Sequence, residues 1–322
     1  MTYSSGGLIQ ATDYNGFVST TAGANLNDIW STGSGDKGWG QTAISTVSTS
    51  GTVTATQWAS LVNTLASSGS QTNTALTSRV APTTGSTIAI LAALNTDLTS
   101  CTTNRGNAAA IGAQFTGWSG TNSKTAATAA GSWTITITNT ITFPSAAQAR
   151  YFFNAGGLIR ISSTKTSTGN TGDPPWNALA ASSGDIYISG RVNGTAQTIA
   201  GTSYTGTTKI GGSGTNNILT TTTGWYSLTP GAAATAIYKQ FSPTAPYTGD
   251  FIQYTAAVNA GSTTLTIVAT WVGVDGDPIS GGTAASGGTA GTAPCTLVTY
   301  YPPSTTYLSN SWGTPSVAAT TA

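Results

Sequence analysis

The chain has 322 residues, enough for two domains, and 6% of them are charged where an average globular protein has roughly 25%. All nine acids are Asp, and Glu and His are absent, which removes Ser-His-Asp and Cys-His catalysis and the usual acid and base pair. The ten Lys and Arg stand singly along the chain, an arrangement that cannot neutralise a run of phosphates and argues against nucleic acid as the main partner.

Hydrophobic residues make up 38%, with nine Trp and twelve Tyr, so the chain can bury a core and does not have the composition of a disordered segment. A net charge of +1 gives little electrostatic solubility and favours association, so a homo-oligomer is expected. Cys101 and Cys295, with no His to join them, read as free buried thiols, and neither a metal nor a cofactor is expected. The first ten residues lack a basic region and an apolar core, and no apolar run reaches the ~18 residues of a membrane span.

In chain order, residues 1–80 read as a helical head. Short helical pieces are expected at 13–17 and 26–30. A clearer one runs over 56–66, where Trp58, Leu61, Val62 and Leu65 recur at i, i+3, i+4 and i+7, a stripe suited to docking on a partner or to packing inside the head. Gly33, Gly35 and Gly38 match the G-x-G-x-x-G spacing, but no clear strand precedes them and no helix follows, so a plain Gly-rich loop is expected. Residues 81–130 read as a helix and a linker. Ile88, Leu91, Leu94, Leu98 and Cys101 follow a short heptad-like seam, compatible with a bundle helix or a brief trimeric stalk, and 106–130 is rich in Gly, Ala, Thr and Ser.

Residues 131–322 read as β. Trp133, Ile135 and Ile137 alternate with Thr, the period of a half-buried strand. Ser145 is placed to cap a short helix over 146–153, Gly156 and Gly157 stop it, and Leu158, Ile159 and Ile161 open a second strand. A turn is expected at 173–175. Strands follow at 185–192, within 195–210, at 224–228, 235–241, 250–258, 263–274 and 295–301, with a Gly-rich loop at 281–293 and a tail from Pro302. Short strands with frequent turn signals predict an antiparallel β-sandwich, so the fold class is mainly β with a helical N-terminal region.

Chemistry in the β part would rest on Asp173, Asp185, Asp250, Asp275 and Asp277, all beside Gly or Pro, where Asp serves turns. Residues 274–278 offer two carboxylates to a cation, short of the roughly 6–8 oxygens Ca²⁺ takes. Tyr300, Tyr301, Tyr307 and Trp312 cluster near the C-terminus, as core, as subunit interface or as a surface for stacking on a glycan.

Three regions carry a resemblance. Residues 143–161, containing Arg-Tyr-Phe-Phe-Asn-Ala-Gly-Gly, resemble a segment of structural proteins of tailed-bacteriophage virions that precedes a β-rich region. Residues 29–42 with 52–63 are similar to their N-terminal region, and 303–315 to their C-terminal tail. The resemblance implies a non-enzymatic virion component in contact with other virion proteins. A tail-associated fibre or spike subunit, with a homotrimer favoured, leads this reading. A capsid or head decoration protein and a host-glycan receptor-binding module stand as alternatives.

Overall fold

The computed structural model describes residues 10–19, 25–85, 93–115, 132–165, 173–215, 217–274 and 294–322. Among the described residues, four helices form the head: α1 (Ala11–Val18), α2 (Leu26–Trp30), α3 (Ala55–Thr72) and α4 (Leu94–Thr103). Helix α3 starts at Thr54, whose hydroxyl accepts from Gln57 N while Gln57 Oε1 accepts from Thr54 N at 2.8 Å, a reciprocal cap for two otherwise unpaired amides. It ends at Asn73 in the left-handed region, φ 52°.

The stripe on α3 points into the head. Trp58 and Leu61 are fully buried and Leu65 nearly so, packed with Tyr14, Ile29 and Leu98 of the neighbouring helices. Tyr14 meets the Trp58 ring edge-on at 5.4 Å. Val62 is also buried, at 5% exposure, though outside that cluster, so three of the four residues expected to dock serve the head's own core. The head also runs past residue 80. Leu94, Leu98 and Cys101 of α4 close the same cluster, so these seam positions serve the chain's own bundle, while Ile88 and Leu91 lie outside the described residues. After α4 the chain lies against the β part, with bridges Ala108 to Ile199, Ile111 to Pro303 and Phe115 to Tyr300, where a linker is expected.

The β part is an antiparallel sandwich. Strands β1 (Trp133–Thr142), β7 (Ile218–Leu219), β8 (Thr235–Phe241), β9 (Phe251–Val258), β10 (Thr264–Gly273) and β12 (Ser316–Thr321) form a sheet in the order β12-β1-β10-β9-β8-β7. Strands β2 (Leu158–Lys165), β3 (Asp185–Ile188), β6 (Thr207–Ile210) and β11 (Pro294–Tyr301) form the second, in the order β11-β2-β3-β6, and β4 (Gln197–Ile199) pairs with β5 (Thr202–Tyr204). Alternate residues turn inward, and Ile137, Ile267 and Tyr254 of one sheet share a single core with Ile161, Ile186 and Val298 of the other.

Polar pins cross that core. Asn139 Nδ2 donates to Thr296 O at 3.2 Å and Trp271 Nε1 to Thr296 Oγ1 at 3.0 Å, and Ser163 Oγ lies 2.6 Å from Tyr254 Oη. These buried polar groups find their partners across the two sheets, which makes one sheet-to-sheet register better than its neighbours.

Helix α5 (Ala146–Asn154) carries the chain from β1 in one sheet to β2 in the other. The Ser145 hydroxyl accepts from Gln148 N at 3.2 Å, as the sequence predicts. Gly156 has φ +95°, and a Cβ there would stand 2.5 Å from that of Ala108. Elsewhere local expectations give way. The segment at 173–175 opens α6 (Asp173–Ser183), with Pro174 and Pro175 in its first turn, where the missing amide hydrogens cost nothing. The strand from Asp185 stops at Ile188, because Arg191 enters the left-handed region and Val192–Gly194 form a 3-10 turn. Residues Trp225–Ser227 form a second such turn in place of a strand. Within the tail, β12 adds an edge strand to β1, with Val317 opposite Ile141. The loop at 281–293 lies outside the described residues.

Candidate functional site at the junction of head and sandwich

The loop that follows α2 enters the sandwich. Gly33 and Gly38 adopt φ of +52° and +89°, and a Cβ on Gly38 would fall 2.2 Å from Thr32 O, so only glycine allows this fold of the backbone. The loop is closed on itself and on its neighbours. Lys37 Nζ lies 3.1 Å from Asp28 Oδ2, and both Asp36 oxygens accept from Arg105 Nη2 at 3.0 Å. Asp36 Oδ2 also accepts from Asn193 N at 2.6 Å, tying the loop to the β part. It follows a five-residue helix and opens none, so the glycine spacing here makes a tie between two layers and no phosphate cradle.

Trp39 is the residue this loop delivers. It is 1% exposed and belongs to the sandwich core. Its indole N–H donates to Asn154 O at 3.0 Å and to Arg105 O at 3.3 Å. Asn154, buried at the end of α5, returns the contact through Nδ2 to Gly38 O at 2.9 Å, and its Oδ1 accepts from Tyr226 Oη at 2.7 Å. Burial pushes the Tyr226 phenol well above its ordinary pKa, so it stays protonated and remains a donor. Gly40 leaves room for the Tyr151 ring, which a Cβ would meet at 2.4 Å.

Gln41 completes the junction with the tail. Its Nε2 donates to Ser309 O at 2.9 Å and its Oε1 accepts from Ser309 N at 2.8 Å, a two-way clamp on one backbone unit. Ser311 Oγ donates to Trp39 O, and Trp312 is buried in the same core. Residues 29–42, 143–161 and 303–315 therefore meet at one place. Residues 52–63 lie apart, in the head core through Trp58 and Leu61.

Other residues singled out in the sequence lie apart. Asp250 is buried and its Oδ1 accepts from Val274 N at 2.9 Å, while Asp185 is 3.8 Å from Arg160. The side chain of Asp173, and Asp275 and Asp277 entirely, lie outside the described residues. Among the described residues no three His, Cys, Asp or Glu gather to hold a metal. Of the C-terminal aromatics, Tyr300 and Trp312 are core, Tyr301 stacks obliquely on Tyr187 at 6.2 Å, and Tyr307 is exposed, so they form no common platform. Both cysteines are free of disulfides, and burial, reinforced by Asp97, raises the Cys101 thiol to about 12. No helix among the described residues is long and apolar enough to cross a membrane.

Trp39 was not singled out in the sequence, and no local spacing marks its partners. Asn154, Gln41, Asp36 and Arg105 are ordinary polar residues until the fold brings them together. Comparison with known proteins found no matching family model, no matching curated protein and no matching solved structure.

Proposed function

We propose that this chain is a structural component of a bacteriophage virion, a tail-associated fibre or spike subunit that assembles as a homo-oligomer, with a trimer favoured. The observation that carries the reading is the convergence at Trp39 of three stretches, each resembling such proteins, into one hydrogen-bonded junction. The junction ties the helical head to the sandwich through Trp39, Gln41 and Asn154, which suits a subunit that passes load and orientation between a particle and its surroundings. The charge-poor composition, with a net charge of +1, supports a chain whose surface is largely covered by neighbours.

The test is cryo-electron microscopy with mass spectrometry on purified particles of the phage that encodes the chain. The reading expects the protein in the particle, in repeated copies at the tail, with head and sandwich fitting the density as one body. Density at the capsid surface would favour a decoration protein instead, and absence of the protein from intact particles would overturn the virion assignment.

A further inference from the structure

Beside the junction, the start of α5 and the segment 225–230 enclose a cleft of about 400 Å³. We propose that this cleft binds a saccharide residue that carries a carboxylate. The proposal goes beyond a scaffolding role and does not depend on it.

The cation comes first. The ion pairs among the described residues join Lys37, Arg79, Arg105 and Arg160 to Asp, and Arg150, which lines the cleft, has no such partner. Arg150 Nη2 donates to Thr32 O at 2.6 Å, which holds the guanidinium in place, and its Nε is buried with no hydrogen-bond partner among the described residues. A partly buried guanidinium without a counter-charge is strongly drawn to an anion, and its planar fork matches a carboxylate.

The helix start adds donors at the same place. Ser145 takes two of the first amides of α5, those of Gln148 and Ala149, through its hydroxyl and its carbonyl. Ala146 and Ala147 are among the residues that line the cleft, and their amides have no acceptor among the described residues. They present the positive end of the helix beside the Arg150 charge.

The remaining wall decides the rest of the ligand. Leu228, Pro230 and Val258 are apolar, and Trp225 is held by stacking on Phe153 at 4.7 Å. Ser262 adds a hydroxyl-bearing residue to the lining, while the Tyr226 ring lines the cleft with its hydroxyl committed to Asn154. A pyranose with a carboxylate has the matching parts: an apolar C–H face, hydroxyl groups and one anionic edge. A second copy of the chain is a poor source of the anion, since it has nine Asp and no Glu in 322 residues.

The experiment is isothermal titration of the full chain with glucuronate, glucose, glucuronamide and acetate, repeated on Arg150→Gln and Ala147→Glu. The second variant places a carboxylate at an exposed position in the first turn, where negative charge favours the helix, so it should fill the site from within and keep the melting temperature. The expected result is saturable binding of glucuronate, weaker by about tenfold or more for the other three probes, and lost in both variants. No saturable binding of glucuronate, equal binding of glucuronamide, or undiminished binding in both variants would overturn the proposal. Acetate binding as tightly as glucuronate would overturn the saccharide assignment. Because the isolated chain is titrated, these outcomes are independent of where the protein sits on a particle.

Discussion

Trp39 and Asn154, 115 positions apart, hold each other at both ends: the indole N–H donates to Asn154 O at 3.0 Å, and Asn154 Nδ2 donates to the carbonyl that precedes Trp39 at 2.9 Å. The pair lies inside the sandwich core although Trp39 comes from the head loop. Trp39→Ala should therefore lose about 3–5 kcal/mol in chemical unfolding, as large aromatic truncations in cores do. Trp39→Phe should lose less and leave the Asn154 carbonyl short of a donor. A loss under about 1 kcal/mol for the alanine variant, the scale of a surface change, would show that head and sandwich do not depend on this contact.

Arg105 and Asp36 form a largely buried ion pair, with side chains 7% and 16% exposed. Arg105→Met leaves the Asp36 carboxylate enclosed without its partner, and a loss of about 3–5 kcal/mol is expected. Adding Asp36→Asn should recover part of it, because the uncompensated charge is then gone. Equal stability of the single and double variants would place the cost of Arg105→Met elsewhere.

Leu61 and Leu65 separate packing from docking. Both are buried in the head, so Leu61→Ala and Leu65→Ala should each cost about 2–5 kcal/mol of stability. Circular dichroism melts of the isolated protein would measure it. Unchanged melting with lost incorporation into particles would instead assign the stripe to docking.

Alkali should unfold the protein over a definite window. Burial raises the phenols of Tyr238 and Tyr300 from 10.0 to about 12, and burial, with Tyr301 and Asp185 adding to it, does the same for Tyr187. Each binds its proton more tightly folded than unfolded, so unfolding releases protons at high pH and stability falls as pH rises. That contribution is fully present below about pH 10 and lost between about 10 and 12. Urea unfolding at stepped pH, followed with phenolate absorbance, should show these tyrosines ionising together with the loss of structure. Ionisation of all twelve Tyr near pH 10 in the still folded protein would contradict their burial.

The sequence by itself determined what short spacings encode. The Trp-Ile-Ile alternation of β1, the Trp58 to Leu65 stripe of α3, the Ser145 cap and the Gly156 stop depend on neighbours two to four residues away, and the structure has each of them. Strands β8, β9 and β10 fall where β-branched and aromatic residues alternate. The misses are local signals that serve more than one structure. Two prolines mark a turn or a helix start equally well, and Ser316–Thr321 has Val317 as its only large apolar residue, so its place in the sheet comes from the β1 edge beside it.

Only the tertiary structure decided which way the α3 stripe faces, that β1 and β2 lie in different sheets, and that Gln41 clamps Ser309 across 268 positions. Backbone propensity acts over one or two turns of chain. Contacts between distant segments are selected by complementary shape and by the need to pair every buried polar group, and neither can be read from one segment at a time.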